Sequence, residues 1–588
     1  MFTRYYQEEL ELLRELGRDF SREHPTLAPH LGEPGTDPDV ERVLEGVAYL
    51  TGGIRERLDD DLPQLTQTLL DMLWPHYLRP VPSSAIVEFS HPAKPKTTST
   101  ERIPRGVTEL ESVPVDGTPC RFRTCYDVDF RPLRIAAAQL ESTGRGALRL
   151  HFEVLGNAKV AELKLDPLRL FLYGDLALST TLYLWLVRHV EAAELEVVMG
   201  GRTLRAALPS RPAPVQPAGV REEEGLFPYP RHSFLGYRLL QEYFTLPQKF
   251  LFVDVRGLGA VTRLAPETAF DLVLRFRERP PEGLRVTADN VRLHCTPVVN
   301  LSARDADPIR LDHRRTSYLL RPSDPEPNHF EVYSVDRVTG LAHGTGERRA
   351  YHPFYSFRHG IAPGDPRAVY YQLRRVPAVA KPNSDVYLSF VTAEERGQLP
   401  ETETVSVELT CTNRRLPEGL KPGDIRQQTD LSPQFADFRN LTPLTPSVLP
   451  PLGGGFHWRL ISHLALNHVS LASPEALRGI LGLYNFQALY DRQAGRANQL
   501  RLAALSAVEA RLSERIFRGT PMRGIATRIE LDEAGFAGEG ELYLFATVLE
   551  EFLALYVSVN AFSELTVRGK QKGETYAWPP RVGRQVIL

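Results

Sequence analysis

Apolar positions at three- and four-residue steps dominate the first 80 residues. Tyr6, Leu10, Leu13, Leu16 and Phe20 form an amphipathic helical stripe that Pro25 ends. Asp37-Pro38-Asp39 then supplies an N-cap, a proline in the first turn and an acid at the positive end of the helix dipole. The second stripe is Val40, Val43, Leu44, Val47, Ile54 and Leu58. A third helix follows Asp59-Asp60-Asp61, carries Leu62, Leu65, Leu69, Met72 and Leu73, and closes at Trp74-Pro75. So small a helical unit buries its apolar faces poorly by itself, which invites other helices.

From about residue 84 the pattern shortens to strand-length runs punctuated by Gly and Pro: AIVEF, GVTEL, FRTCYDVDF and LRLHFEVL. A helix is predicted at 174–189, and the proline-rich stretch 209–230 reads as a long loop or linker. HSFLGYRLLQEYFTLPQKFLFVDV reads as a helix to about Phe244, a break at Pro247 and a buried strand. Strand signals resume in VTADNVRLHCTPVVNL, HFEVYSVDRV, VYYQLRR, DVYLSFV and VSVELTC. Proline and glycine crowd together at 443–455. Beyond them helices and strands mix: a helix from Pro474 to Asn485, a strand around ATRIELD and a long helix in GELYLFATVLEEFLALYVSVN. The fold class is α+β and multidomain, divided as an N-terminal helical segment (1–83), a β-rich domain with inserted helices (84–290), a β-rich, sandwich-like middle domain (291–442) and an α+β C-terminal domain (443–588).

Length and composition agree with this division. The chain has 588 residues, 42% of them hydrophobic and 24% charged, a globular mixture long enough for several cores. Its net charge of −3 lacks the basic excess of a duplex-binding protein, so no nucleic-acid partner is expected. Of the 70 Lys and Arg only nine are lysines, which codon bias in a GC-rich genome accounts for. Four cysteines (Cys120, Cys125, Cys295, Cys411) are too few for a disulfide scaffold and fit a reducing compartment. The charged N-terminus is unlike a signal peptide, and nothing supplies ~20 consecutive apolar residues for direct membrane insertion.

Candidate chemistry is sparse. Gly569-Lys570 lacks the earlier glycine of a phosphate-binding loop, GLGAVT at 257–262 is not GxGxxG, and neither GxSxG nor HExxH occurs. Asp59-Asp60-Asp61 reads as a solvated cap. His457, His463 and His468 are spaced six and five apart and share no helical face, so they read as core or interface residues. Cys120 and Cys125 are an odd number apart in a strand-like run and point to opposite faces, against a zinc site. Tyr237, Tyr243, Phe244, Phe250, Phe252, Tyr543, Phe545, Phe552 and Tyr556 read as core rather than as a sugar- or base-stacking platform. No catalytic, metal or cofactor residue is assigned from these motifs, which leaves open a catalytic constellation assembled from distant residues.

Ten runs in order resemble the TssF family (also called ImpG or VasA) of the bacterial type VI secretion baseplate. They include YYQEELELLRELGRDFSREHP (5–25), LLDMLWPHYLRPVPS (69–83), GYRLLQEYFTLPQKFLFVDV (236–255), LHCTPVVNL (293–301), LTCTNRRLP (409–417), WRLISHLALNHVSL (458–471) and YAWPPR (576–581). Thr51-Gly52-Gly53 departs from the alanine-rich helix expected there, and glycine loosens or kinks a helix. The resemblance implies a structural role, not catalysis, with no cofactor. Two copies would join one TssG in a wedge body, six wedges would surround the VgrG hub and nucleate sheath and tube, and TssK and TssE would complete each wedge. The location would be cytoplasmic, docked at the inner-membrane complex through the baseplate. Candidate shared-bundle residues are Tyr6, Leu10, Leu13, Val40, Val43, Val47, Leu65, Leu69 and Met72; the alternative for each is packing within the chain. Unequal environments for the two copies imply a hinge at 209–230 or 443–455. A second reading is a multidomain β-sandwich that binds or hydrolyses carbohydrate, which would need exposed aromatics and a carboxylate pair.

Overall fold

The structure, a computed structural model, describes residues 2–23, 38–59, 63–93, 97–141, 144–199, 201–230, 233–264, 268–312, 314–343, 346–354, 369–378, 383–392, 403–452, 456–463, 473–489, 492–517 and 519–583. The chain divides into two compact units: Met1–Met72 with Pro451–Leu464, and Leu73–Pro450 with Ala465–Leu588.

In the first unit the three predicted helices are α1 (Phe2–Glu23), α2 (Pro38–Asp59) and α3 (Pro63–Leu73), and the helix Phe456–His463 joins them. α1 packs against α2, with Leu10 and Ala48 buried and Arg14 paired to Glu41. α2 runs unbroken through Thr51-Gly52-Gly53; Gly52 is buried, and the Thr51 hydroxyl donates to the Val47 carbonyl at 2.9 Å. His457 is buried beside α3, its Nε2 2.9 Å from the Pro451 carbonyl oxygen and its Nδ1 3.5 Å from Thr66 Oγ1.

The second unit is β-rich. A six-stranded sheet runs in the order Ile425–Gln428, Glu109–Val115, Thr118–Thr124, Cys295–Val299, Ser84–Ser90, Asp437–Asn440. It draws on both sides of position 290, because a central antiparallel strand need not follow its neighbours in sequence. Val87, Phe89, Leu110, Phe122 and Val298 lie in its core. A five-stranded sheet is built from Arg202–Ala207, Val190–Met199, Ala269–Phe276, Ala147–Val154 and Leu133–Glu141. The stretch 209–230, expected as a loop or linker, instead contributes the edge strand Val215–Pro217 to a four-stranded sheet, paired to Phe252–Val255. An edge tolerates the amide proton that Pro217 lacks.

Between residues 302 and 412 one sheet curls on itself. Its two ends meet in a bridge between Ala306 and Pro322, with Asp307 donating to the Arg321 carbonyl and Ser323 to the Asp305 carbonyl, both at 2.8 Å. The sandwich-like expectation thus takes a barrel-like form, with Val332, Leu388, Val405, Leu409 and Cys411 in its core. In the C-terminal region Thr520–Leu531 and Ala561–Gly569 are parallel and are joined through the helix Glu539–Leu555, a βαβ crossover. That helix packs against Leu176–Arg188 and Leu235–Thr245, which explains why its apolar residues surround it.

Candidate functional site

Among the described residues no group of three or more His, Cys, Asp and Glu is placed to hold a metal ion. All four cysteines are free and buried, and burial pushes the Cys120 and Cys125 thiols up to about 12, leaving them protonated and unreactive. The nominated aromatics pack inside the fold: Tyr237, Tyr243, Phe244, Phe250, Phe252, Tyr543, Phe545 and Phe552 are buried, and Tyr556 is half-buried with its hydroxyl 2.7 Å from that of Tyr237. They offer no stacking platform. His468, Asp60 and Asp61 lie outside the described residues, as do the side chains of Asp59 and His463.

The charge clusters of the second unit are internally satisfied. Lys249, fully buried, donates from Nζ to Glu242 Oε2 and to the Gly219 carbonyl, both at 2.6 Å, while Glu242 Oε1 accepts the Leu226 amide at 2.6 Å. Burial pushes the Lys249 ammonium toward neutrality, and Glu242 opposes that shift. A cavity of about 220 Å³ near these groups is lined by Arg131, Arg169, Asp254 and His294. Arg169 donates to Asp254 at 2.7 Å and pairs with Glu224, and Arg131 donates to Asp129 at 3.0 Å. This network stitches 209–230 to the fold.

The helical unit is different, because it exposes apolar residues in an ordered pattern. On α2, Val40 and Leu44 are half-buried and Ala48 and Gly52 are buried, a row at four-residue steps that faces inward. Val43, Val47 and Leu50, at steps of four and three, form a second row that faces out, Val43 being 64% and Leu50 67% exposed. On α1, Tyr6 and Leu13 flank buried Leu10, while Leu12, Leu16 and Phe20 form an exposed row at four-residue steps, Leu16 being 56% exposed. On α3, Leu69 is half-buried and Met72 exposed; the side chain of Leu65 lies outside the described residues. The nominated residues therefore divide: Leu10 packs within the chain, Tyr6, Leu13, Val40 and Leu69 sit at the margin, and Val43, Val47 and Met72 face outward. Leu12 and Leu50 escaped nomination, although Leu50 sits seven residues after Val43 and completes its stripe.

Contiguous exposed apolar rows mark interaction surfaces, and known proteins agree with an assembly role. The chain is 31% identical to type VI secretion system component TssF1 of Pseudomonas aeruginosa, covering 99% of each sequence. Its fold is similar to a chain in the cryo-electron microscopy structure of the type VI secretion system TssK-TssF-TssG baseplate subcomplex, with a TM-score of 0.75, 34% identity, and coverage of 93% of this chain and 99% of that one. It is also similar to a chain of the baseplate complex from the type VI secretion system, with a TM-score of 0.63, 29% identity and full coverage of both. Residues 1–585 match the family described as "Type VI secretion system, TssF". The chain belongs to the TssF family, whose members are structural components of the type VI secretion baseplate.

Proposed function

We propose that this chain is a non-enzymatic subunit of a type VI baseplate wedge, in which two copies assemble with one TssG and the outward rows of α1 and α2 enter a shared helical bundle. The observation that carries this reading is similarity over nearly the whole chain to a protein seen in a TssK-TssF-TssG subcomplex. TssG and TssK are accordingly its first partners. TssE, the VgrG hub and neighbouring wedges complete the surroundings of a wedge that nucleates sheath and tube. The site of action is cytoplasmic, at a baseplate docked to the inner-membrane complex; among the described residues no helix is long and apolar enough to cross a membrane.

Val43, Val47 and Met72, joined by Leu12, Leu16 and Leu50, are the residues for which a partner helix supplies the missing contacts. Tyr6, Leu13, Val40 and Leu69 flank that surface, Leu10 holds α1 to α2, and Leu65 is retained as a bundle candidate from the sequence alone. Co-purification of tagged TssG with Val43→Glu/Leu50→Glu tests the assignment, since glutamate preserves helix propensity while placing charge on the outward row. The variant should keep the thermal stability of the parent chain and lose TssG. Unimpaired recovery of TssG would refute the surface.

A further inference from the structure

The strand Leu505–Phe517 is the outermost strand of the C-terminal sheet and pairs along one side with Thr520–Leu531. Its far half projects with both faces accessible, and it carries the two most exposed large apolar side chains among the described residues, Leu512 at 85% and Ile516 at 78%. Both point to the face that also holds Val508, which is buried, and Glu514, which pairs with Arg523, because strand side chains alternate. The opposite face carries Glu509, Arg511 and Arg515. A long open edge with apolar residues is a template for another strand unless charge of one sign blocks it. Here the strand carries both signs, with Glu509 and Glu514 against Arg511 and Arg515.

We infer that this edge pairs antiparallel with the same edge of a second copy of the chain, on a two-fold axis at Leu512. The inference deepens the assembly reading, on which it rests for the presence of more than one copy, by naming a surface where copies meet. The sequence selects the register. With Leu512 opposite Leu512, Ile516 faces Val508 of the other copy and Glu509 faces Arg515, each twice by symmetry. A centre at 511 sets Arg511 against Arg511, one at 513 sets Arg511 against Arg515, and one at 514 sets Glu514 against Glu514. A centre at 510 pairs Glu509 with Arg511 but places Ile516 opposite Ala504, before the strand begins. The centres at 510 and 512 both match apolar to apolar and acid to base, and of the two only 512 sets Ile516 opposite a residue of the strand. The existing pairs, Glu509 with Arg511 at 3.1 Å and Arg515 with Glu564 at 2.7 Å, hold Glu509 and Arg515 over the opposite face, where the two meet across the axis, while Arg511 falls opposite Ser513.

Cysteine trapping in the full chain co-expressed with its TssG partner tests this, and the four native thiols are buried and add no background. Leu512→Cys places two sulfurs across the axis at a Cα separation of ~5 Å, within disulfide reach, whereas Glu514→Cys sits four residues out of register at roughly 14 Å. On mild oxidation Leu512→Cys should give at least ~10-fold more covalent dimer than Glu514→Cys, as that difference in reach demands. Leu512→Lys should abolish dimer between chains without lowering thermal stability. Equal cross-linking at both positions, or none at 512 while TssG remains bound with two copies of the chain, would overturn the edge pairing and leave the wedge reading standing. Failure to bind TssG at all would instead strike the wedge reading.

Discussion

At the residue scale the protein spends its buried charge on holding loops in place. Glu242 accepts from Lys249 Nζ and from the Leu226 amide and lies 3.6 Å from the Arg238 guanidinium, so Lys249→Met should remove one of two cationic partners of a buried carboxylate and cost at most about 3–5 kcal/mol in urea unfolding. Lys249→Met with Glu242→Met should recover most of that loss; a double variant no better than the single would contradict a charge-pair origin. His76 is buried with its ring centroid 4.5 Å from that of Tyr229, and burial, reinforced by Arg79, lowers its pKa to about 3. Its folded pKa lies below the ordinary 6.5, so its contribution is complete above pH 6.5 and is lost as pH falls toward 3. His76→Phe should therefore narrow its stability gap to the parent on acidification from pH 7 to pH 4, read as the difference in Tm. A gap independent of pH would mean that His76 does not titrate with unfolding. Glu550 shifts the opposite way, up to about 7, because burial outweighs an Arg581 guanidinium that Glu551 shares. Stability from Glu550 is therefore present below its unfolded pKa and lost as pH rises through 7.

At the scale of elements, the pattern of apolar residues located α1, α2 and α3 and the helices near 176–188, 235–245 and 539–555, since each carries a continuous apolar face between strong stop signals. Periodicity could not say which side of α2 meets its neighbour. Val40 and Val43 are both valines on one stripe, yet only Val43 faces outward, a distinction set by the α1 contact and the small residues Ala48 and Gly52. Proline hid the strand Val215–Pro217 because strand signals assume a donor at every position, which an edge does not need. Curling of the 302–412 sheet until Ala306 meets Pro322 was equally hidden, because strand runs carry no record of long-range pairing. Close packing in the C-terminal region yields a prediction at this scale. A Cβ on Gly540 would overlap the Thr180 carbonyl and the Thr181 nitrogen, so Gly540→Ala should destabilise by ~1–3 kcal/mol through overpacking of the two helices. A neutral or stabilising result in chemical denaturation would show that the helices have room to separate.

For the whole molecule, the candidate surface was legible in the sequence as three apolar stripes, and the family was legible in ten ordered runs. The structure adds that the four thiols and the nominated aromatics pack within the described fold, while ordered apolar rows remain on the helical unit and on one sheet edge. Membership of the TssF family makes the chain a component of a baseplate assembly, and the proposed account is that these rows are where it assembles. Native mass spectrometry of the full chain, alone and co-expressed with the TssG of the same bacterium, tests that claim most directly. The account predicts a stable species of two copies of this chain with one TssG. A monomer that ignores TssG under matched conditions would contradict it.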